Sequence, residues 1–170
     1  MTNDHENIQL QDGSGNTIMY FPITSTVEQI WQNNVTTFAK SWVDDGPQLV
    51  DLRMYAGEIV VQGDFLSTDT PLDPDLVADL RTLMTLPANP ITADMQFNWL
   101  LEGILTNSDD EFWLIYNDRE YKYAAGAVDV SAGKYPPVIV REIRDVGEGV
   151  KDRVSFVLRL VIGQVRRSRN

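Results

Sequence analysis

The stretch RVSFVLRLVIGQV, residues 153–165, decides the fold class. Apolar residues recur there at every second position, and the residues between them are mixed in character. The apolar series is Phe156, Leu158, Leu160 and Ile162. The mixed series is Ser155, Val157 and Arg159. Such alternation is typical of a β-strand that places one face in a core and the other towards solvent or a neighbouring subunit.

Other segments rich in β-branched and aromatic residues predict further strands along most of the chain. We predict them at residues 17–23, 35–42, 49–54, 58–66, 97–105, 112–116, 121–130 and 138–144. The pair 49–54 and 58–66 is predicted to be a hairpin that turns at Tyr55-Ala56-Gly57. Residues 25–34 combine helical spacing with the turn-prone pair Asn33-Asn34, and they predict a short helical or irregular segment.

Residues 73–84 carry the clearest helix signal. Asp73 suits an N-cap, Pro74 suits the first helical position, and Asp75 suits the positive end of the helix dipole. The apolar stripe consists of Leu76, Val77, Leu80, Leu83 and Met84. A stripe of this kind packs on a sheet. The sequence therefore predicts an α+β protein, mainly antiparallel β, built as a β-sandwich or barrel with one packed helix.

The chain of 170 residues has the length of one domain. We predict a flexible N-terminal segment over residues 1–16, a single β-rich domain over 17–165 and a basic tail over 166–170. No apolar run reaches the roughly 20 residues that a membrane helix needs. The polar, acidic start lacks the features of a signal peptide. The expected location is the cytoplasm, or a particle assembled in it.

The formal net charge is −11, and the only lysines are Lys40, Lys122, Lys134 and Lys151. A surface this acidic repels nucleic-acid phosphate, so general DNA binding is not expected. Abundant aspartate with few lysines also resembles the composition of proteins adapted to high salt, where the repulsion is screened. An ordinary acidic protein has the same composition, and both interpretations stay open at this point.

The residue types that carry most enzyme chemistry are few or poorly placed. Cysteine is absent, and the one histidine, His5, lies in the segment predicted to be flexible. Neither a catalytic triad nor a Cys/His metal site is predicted. The carboxylates of Asp44-Asp45 and Asp109-Asp110-Glu111 adjoin one another in turns and do not face each other across a sugar, as a glycosidase requires. We therefore expect no catalytic, cofactor-binding or metal-binding residues and no small-molecule substrate.

Aromatic side chains provide an alternative function of another class, a carbohydrate- or receptor-binding module. The candidate platform residues are Trp31, Trp42, Trp99, Trp113, Tyr116, Tyr121 and Tyr123. In a β domain of this size the same side chains also serve as core or subunit contacts.

Several segments in this order resemble tail tube and distal tail proteins of tailed viruses. They are LVDLRM at 49–54, EIVVQGDF at 58–65 and the capped helix at 73–84. In that family a strand with an I-x-V-x-G pattern leads through a short loop into a helix packed on a β-sandwich. The stretch 112–123 is similar to the hairpin of the family, and 153–158 to its closing strand. The resemblance covers roughly residues 49–165.

The resemblance implies a structural, non-enzymatic virion protein of the tail tip or baseplate, of the distal-tail type, assembled in the host cytoplasm. The alternative within the family is the major tail tube subunit. Either one implies a homo-oligomeric ring, as a homohexamer, in which strands pair across subunits and close the open sheet edges. The salt-adapted interpretation of the composition would place the virus in a halophilic archaeon.

The resemblance also implies partners and contact residues. The ring would join other tail or baseplate proteins, and DNA would pass only transiently through a lumen whose acidic lining lets it slide. The predicted interface residues are Val138, Val140, Arg153, Ser155, Val157, Arg159, Arg166 and Arg167.

Overall fold

The computed structural model describes residues 8–22, 24–38, 48–67, 74–85, 90–107, 111–147 and 152–163. Within these ranges a mainly antiparallel sheet carries two helices, which confirms the predicted α+β, mainly antiparallel β class. The strands are β1 (Gln9–Asp12), β2 (Thr17–Tyr20), β3 (Thr26–Phe38), β4 (Gln48–Leu66), β5 (Phe112–Tyr116), β6 (Arg119–Tyr121), β7 (Lys134–Tyr135), β8 (Val138–Asp145) and β9 (Arg153–Ile162). The helices are α1 (Pro74–Met84) and α2 (Ala93–Leu105).

The strands form one open sheet in the order β2-β1-β5-β8-β9-β4-β3, with β6 beside β5 and β7 beside β6. Only β6 and β7 run parallel; the other described pairs are antiparallel. The path does not close on itself among the described strands, so the structure differs from the sandwich or barrel that the sequence predicted.

The core lies between one face of this sheet and the two helices. The alternation predicted for β9 is confirmed, since Val154, Phe156, Leu158 and Leu160 are buried. The rings of Phe65 and Phe156 stack with their centroids 4.5 Å apart, and Phe21 lies 5.4 Å from Phe156. The predicted helix is confirmed from Pro74 to Met84, whereas Asp73 lies outside the described residues.

A second helix replaces the strand predicted at 97–105. Residues 93–105 form α2, so the prediction of a single helix was wrong. The side chain of Thr92 caps this helix by accepting a hydrogen bond from the Met95 amide at 3.2 Å. The alternation of Phe97, Trp99 and Leu101 suggested a strand, but burial of Ala93, Gln96 and Leu100 follows the helical period.

The hairpin predicted between residues 49–54 and 58–66 was wrong, because both segments belong to the single strand β4, which runs through Tyr55-Ala56-Gly57 without turning. β4 pairs instead with β3, which is continuous through the segment predicted to be helical or irregular. The register shifts between Asn33 and Val35, so the asparagine pair occupies an irregularity in the strand and not a turn. Gly57 is required for close packing: a β-carbon there would lie 2.8 Å from the Trp31 ring and from Ile162.

Two further boundaries are corrected. The segment predicted to be flexible over 1–16 contains β1, which pairs with β2 and β5 and buries Ile8 and Leu10. Of the strand predicted at 121–130, only Tyr121 lies in a strand, as the last residue of β6. Two 3-10 turns follow it, at Ala125–Ala127 and Val130–Ala132. His5, residues 39–42 of the strand predicted at 35–42, and the basic tail 166–170 lie outside the described residues.

Candidate assembly interface

The β3–β4 hairpin continues as a two-stranded ribbon beyond the rest of the sheet. β4 pairs with β9 only from Gly57 to Leu66. Residues 48–56 of β4 have β3 as their single neighbour among the described strands. These nine residues extend about 30 Å at the usual rise of a β-strand. Because an isolated two-stranded ribbon is marginally stable in water, this one needs another surface to hold it.

Two strand edges in the described part of the sheet have no neighbour. β3 is the last strand of the path, so the backbone of its outer edge has no paired strand from Thr26 to Phe38, although the Gln29 side chain accepts hydrogen bonds from Arg119 and Tyr121 of β6 at 2.9 Å each. β8 meets β5 only where Phe112 pairs with Val138, which leaves residues 139–145 paired on one side only, with β9. Unpaired N–H and C=O groups along such edges are a template for adding a strand of another chain.

The opposite end of the sheet, at β2, is closed by α2. The indole Nε1 of Trp99 donates a hydrogen bond to the Ile18 carbonyl oxygen at 3.0 Å. Gly103 lets the helix come this close, because a β-carbon there would overlap the Ile18 side chain. A cavity of about 270 Å³ lies at this contact, lined by Thr17, Ile18, Trp99, Glu102, Gly103 and Thr106. The sheet therefore has one protected end and two unprotected edges.

The face of β4, β8 and β9 that points away from the helices carries a network of paired charges. Arg159 contacts Glu142 at 3.5 Å and Glu58 at 3.8 Å. Arg144 contacts Glu142 at 2.7 Å, and its hydrogen bond holds the pKa of that carboxyl below the usual range. Exposed pairs of this kind add little stability, but they fix the pattern of charge that a neighbouring molecule meets.

A second charged group lies further along the same face. Arg153 contacts Asp64 at 2.8 Å, and the Ser155 hydroxyl donates to the same carboxylate at 2.5 Å. Here, as in the network around Arg159, each carboxylate has an arginine partner. In these two groups the carboxylates are therefore paired with arginines, and the acidic lumen lining that the resemblance implies stays a prediction.

The structure separates the predicted interface residues into three groups. The Val138 side chain is fully buried in the core of the subunit. Val140 is half-buried and packs against the core. The β9 residues lie on the charged face, partly or fully exposed: Arg153, Ser155, Val157 and Arg159. Arg166 and Arg167 lie outside the described residues.

From Phe156 to Ile162, β8 and β4 occupy the two edges of β9, so this part of the strand offers a partner its face and not an edge. The sequence identified β8 as an interface strand through Val138 and Val140, but it did not identify the open edge of β3. The positions of the prolines indicate how far β3 and β4 can extend. No proline occurs between Pro22 and Pro47, where β3 lies, or between Pro47 and Pro71, where β4 lies.

No group of three or more acidic or histidine side chains suited to a metal occurs in the part of the chain that the structure describes. Asp44, Asp45, Asp109 and Asp110 lie outside it. Neither described helix has the length and apolar character needed to cross a membrane.

The aromatic residues considered for sugar binding do not form one platform. Trp31 lies on β3, Trp99 lies on α2 with its N–H bonded to Ile18, and Tyr121 is buried. Trp42 lies outside the described residues. Trp113 and Tyr123 are brought together, with the ammonium of Lys122 within 6 Å of both rings.

No protein-family model matches the sequence, and no curated protein matches it. Among solved structures, the chain is similar to one in the virion of a native gene transfer agent particle, with a TM-score of 0.38 and 13% identity over 96% of both chains. It is also similar to one in the tail of an empty gene transfer agent particle, computed with C6 symmetry, with a TM-score of 0.38 and 14% identity over 97% of this chain and 96% of that one. An overlap this loose assigns neither a family nor a role.

Proposed function

We propose that the chain is a structural protein of a tailed-virus virion, placed at the tail tip or baseplate. In this role it assembles as a homohexameric ring and connects the tail tube to neighbouring tail proteins. The observation that carries the proposal is the β3–β4 ribbon together with the open edges of β3 and β8. The geometry of these strands supports the assembly, and the sequence resemblance supports the placement at the tail tip; the loose overlap with the gene transfer agent particles supports neither.

The two open edges suit a head-to-tail contact between copies. They bound a run of four adjacent strands, β8-β9-β4-β3, in which each pair is antiparallel. The direction of the strands therefore alternates across the run. When neighbouring copies are related by a rotation about an axis parallel to the strands, β8 of one copy lies antiparallel to β3 of the next. Contacts of this type are heterologous, and they generate a ring when the rotation closes.

Individual charged side chains along these edges are available for pairing. β8 carries the exposed Arg141, besides Arg144 and Asp145 and the Glu142 that pairs with Arg144, and β3 carries the exposed Glu28. Opposite charges across paired strands contribute about 0.2–1 kcal/mol each. Most of the gain comes instead from the backbone groups of both edges and from a surface on which the ribbon can pack.

Removal of the ribbon tests the proposal. Replacing residues 33–55 by Asn-Gly joins Gln32 to Ala56, which are already paired, through a turn suited to a two-residue hairpin. We expect the intact chain to form a six-fold ring by native mass spectrometry in molar salt. We expect the shortened chain to keep its thermal transition but run as a monomer. An intact chain that is monomeric at every salt concentration, or a shortened chain that still forms the ring, contradicts the proposal.

The major tail tube subunit is the alternative within the same class. A tube subunit stacks rings into long tubes, whereas a tail-tip protein stops at a single ring. Negative-stain images of the purified assembly distinguish the two: isolated rings support the tail-tip role, and extended tubes support the alternative.

A further inference from the structure

The open edge of β8 separates apolar side chains from charged ones. Val140 and Ile143 are partly buried and pack against the core, so they lie on the face of the sheet that the helices cover. Glu142 and Arg144 lie on the opposite, charged face, where they contact each other at 2.7 Å. A strand added to this edge therefore meets an apolar side and a charged side.

β8 also contains one extra residue, Arg141. Val140 pairs with Leu160 of β9, and Glu142 pairs with Arg159, which is adjacent to Leu160 in the chain. Arg141 thus has no residue opposite it, and its side chain is exposed. A strand on the open edge meets the same irregular backbone, so we expect it to pass over Arg141 as well.

The open edge of β3 has the same division into two faces. Val27 packs against the core, and Trp31 shares that face because it follows Val27 by four residues in a regular strand. The Trp31 side chain is nevertheless 47% exposed. Glu28 is exposed on the charged face and makes no ion pair with any residue that the structure describes. β3 therefore offers an uncovered ring on one face and an unpaired carboxylate on the other.

The proposed ring limits how β8 of one copy can meet β3 of the next. Rotation about an axis parallel to the strands continues the helix-covered face of one copy as the helix-covered face of its neighbour. Residues directly opposite each other in paired strands share a face, and a slip of one residue exchanges the faces. The allowed registers therefore differ by steps of two residues. Three successive registers place Glu142, Arg144 or Val146 opposite Glu28.

Charge distinguishes these three registers. The first places Glu142 opposite Glu28, and like charges directly opposite each other are destabilising. The third places Val146 opposite Glu28, which leaves the carboxylate without a cation across the boundary. The second places Arg144 opposite Glu28, so that one arginine lies between two carboxylates, Glu28 of the next copy and Glu142 of its own strand.

We propose that β8 of one copy pairs with β3 of the next in the register that places Arg144 opposite Glu28. This inference rests on the proposed ring and specifies how its subunits meet. With Arg141 passed over, the same register places Val140 opposite Trp31 on the helix-covered face. The exposed ring of one copy then packs on the partly buried valine of another.

The hydrogen bonds between Gln29 and β6 are compatible with this contact. The side-chain oxygen of Gln29 accepts from Arg119 and Tyr121 at 2.9 Å each, which leaves the backbone of the β3 edge without a paired strand. In the proposed register Gln29 is opposite Ile143. The Ile143 side chain has no polar group, so it does not compete for these hydrogen bonds.

Disulfide cross-linking tests the register, because the chain contains no cysteine of its own. Glu28→Cys is combined in the full chain with Arg144→Cys, Glu142→Cys or Val146→Cys. Directly opposite residues have Cα atoms about 4.5–5.5 Å apart, which a disulfide spans, whereas residues offset by two lie about 7–8 Å apart. Within one copy β3 and β8 are separated by β4 and β9, about 14 Å in all, so a cross-link joins two copies.

We expect the pair Glu28→Cys and Arg144→Cys to cross-link at least about tenfold faster than the other two pairs, and Glu28→Cys alone to give no cross-link. Faster cross-linking of either other pair overturns the register. So does the absence of every cross-link when the unaltered chain forms a ring by native mass spectrometry, although the ring itself then stands. An unaltered chain that forms no ring overturns the proposed function and this inference with it.

A second measurement uses no cysteine. Trp31→Ala and Val140→Ala should each raise about tenfold the subunit concentration at half assembly, equivalent to about 1.4 kcal/mol. The double variant should raise it by less than the product of the two effects, because the side chains contact each other only between copies. An effect equal to that product overturns the register. Met95→Ala is the matched control, since Met95 is exposed on α2, and it should assemble like the unaltered chain.

Discussion

Replacement of Trp99 by phenylalanine tests the indole contact that closes the β2 end of the sheet. The substitution keeps an aromatic ring on α2 but removes the N–H that donates to the Ile18 carbonyl oxygen at 3.0 Å. Leaving a partly buried carbonyl without its donor costs about 1–3 kcal/mol. For a chain of this size, each kcal/mol lowers the melting temperature by about 2–4 °C. The expected decrease is therefore about 2–12 °C.

Urea unfolding followed by circular dichroism measures this loss directly. Trp31→Phe is the matched control: Trp31 is 47% exposed, and this change should alter the free energy of unfolding by no more than about 0.5 kcal/mol. Hydrogen exchange supplies a second measurement, since β2 should exchange faster in Trp99→Phe. If the two variants are equally stable, the indole hydrogen bond does not protect this end of the sheet and the reasoning is refuted.

Three further predictions concern the core, the β4 packing and the charged face. Phe156→Ala removes a buried ring stacked on another and should lower the free energy of unfolding by about 3–5 kcal/mol in urea. Gly57→Ala should cost about 1–3 kcal/mol by crowding Trp31, and pairing it with Trp31→Ala should recover part of that loss. The hydrogen bond from Arg144 lowers the pKa of the Glu142 carboxyl in the folded protein. The stabilising contribution of Glu142 is therefore present above the pKa of this carboxyl in the unfolded chain and is lost as the pH falls through its pKa in the folded protein. Glu142→Gln should accordingly narrow the difference between the urea midpoints measured at about pH 7 and at about pH 3.

The sequence predicted the elements whose pattern is local and regular. The period of two in β9 and the N-terminal signals of α1 both led to the observed structure. α2 was missed because Phe97, Trp99 and Leu101 imitate a strand, whereas the deciding burial of Ala93 and Leu100 comes from tertiary packing. The cap at Thr92 was the signal that could have corrected this.

The length of β4 and the open edges were beyond local reasoning for a different reason. Gly57 looked like a turn residue, yet it is glycine because the Trp31 ring occupies the space of a side chain. Which edges remain unpaired depends on the order of strands in the sheet. That order, which places β8 between β9 and β5, is set by tertiary packing and not by the local sequence. Trp113 and Lys122 were likewise brought together by strand pairing, which sequence spacing alone did not reveal.

The pairing of β4 with β9 has a mechanical consequence. Ten residues of β4, from Gly57 to Leu66, pair with β9 in uninterrupted register. Tension applied along the ribbon acts parallel to these strands and perpendicular to their hydrogen bonds, so the bonds share the load in shear and do not open one after another. A pull on the ribbon is thereby carried straight into the strand that supplies Phe156 and Leu158 to the core, and the subunit resists stretching along this axis more than peeling across it.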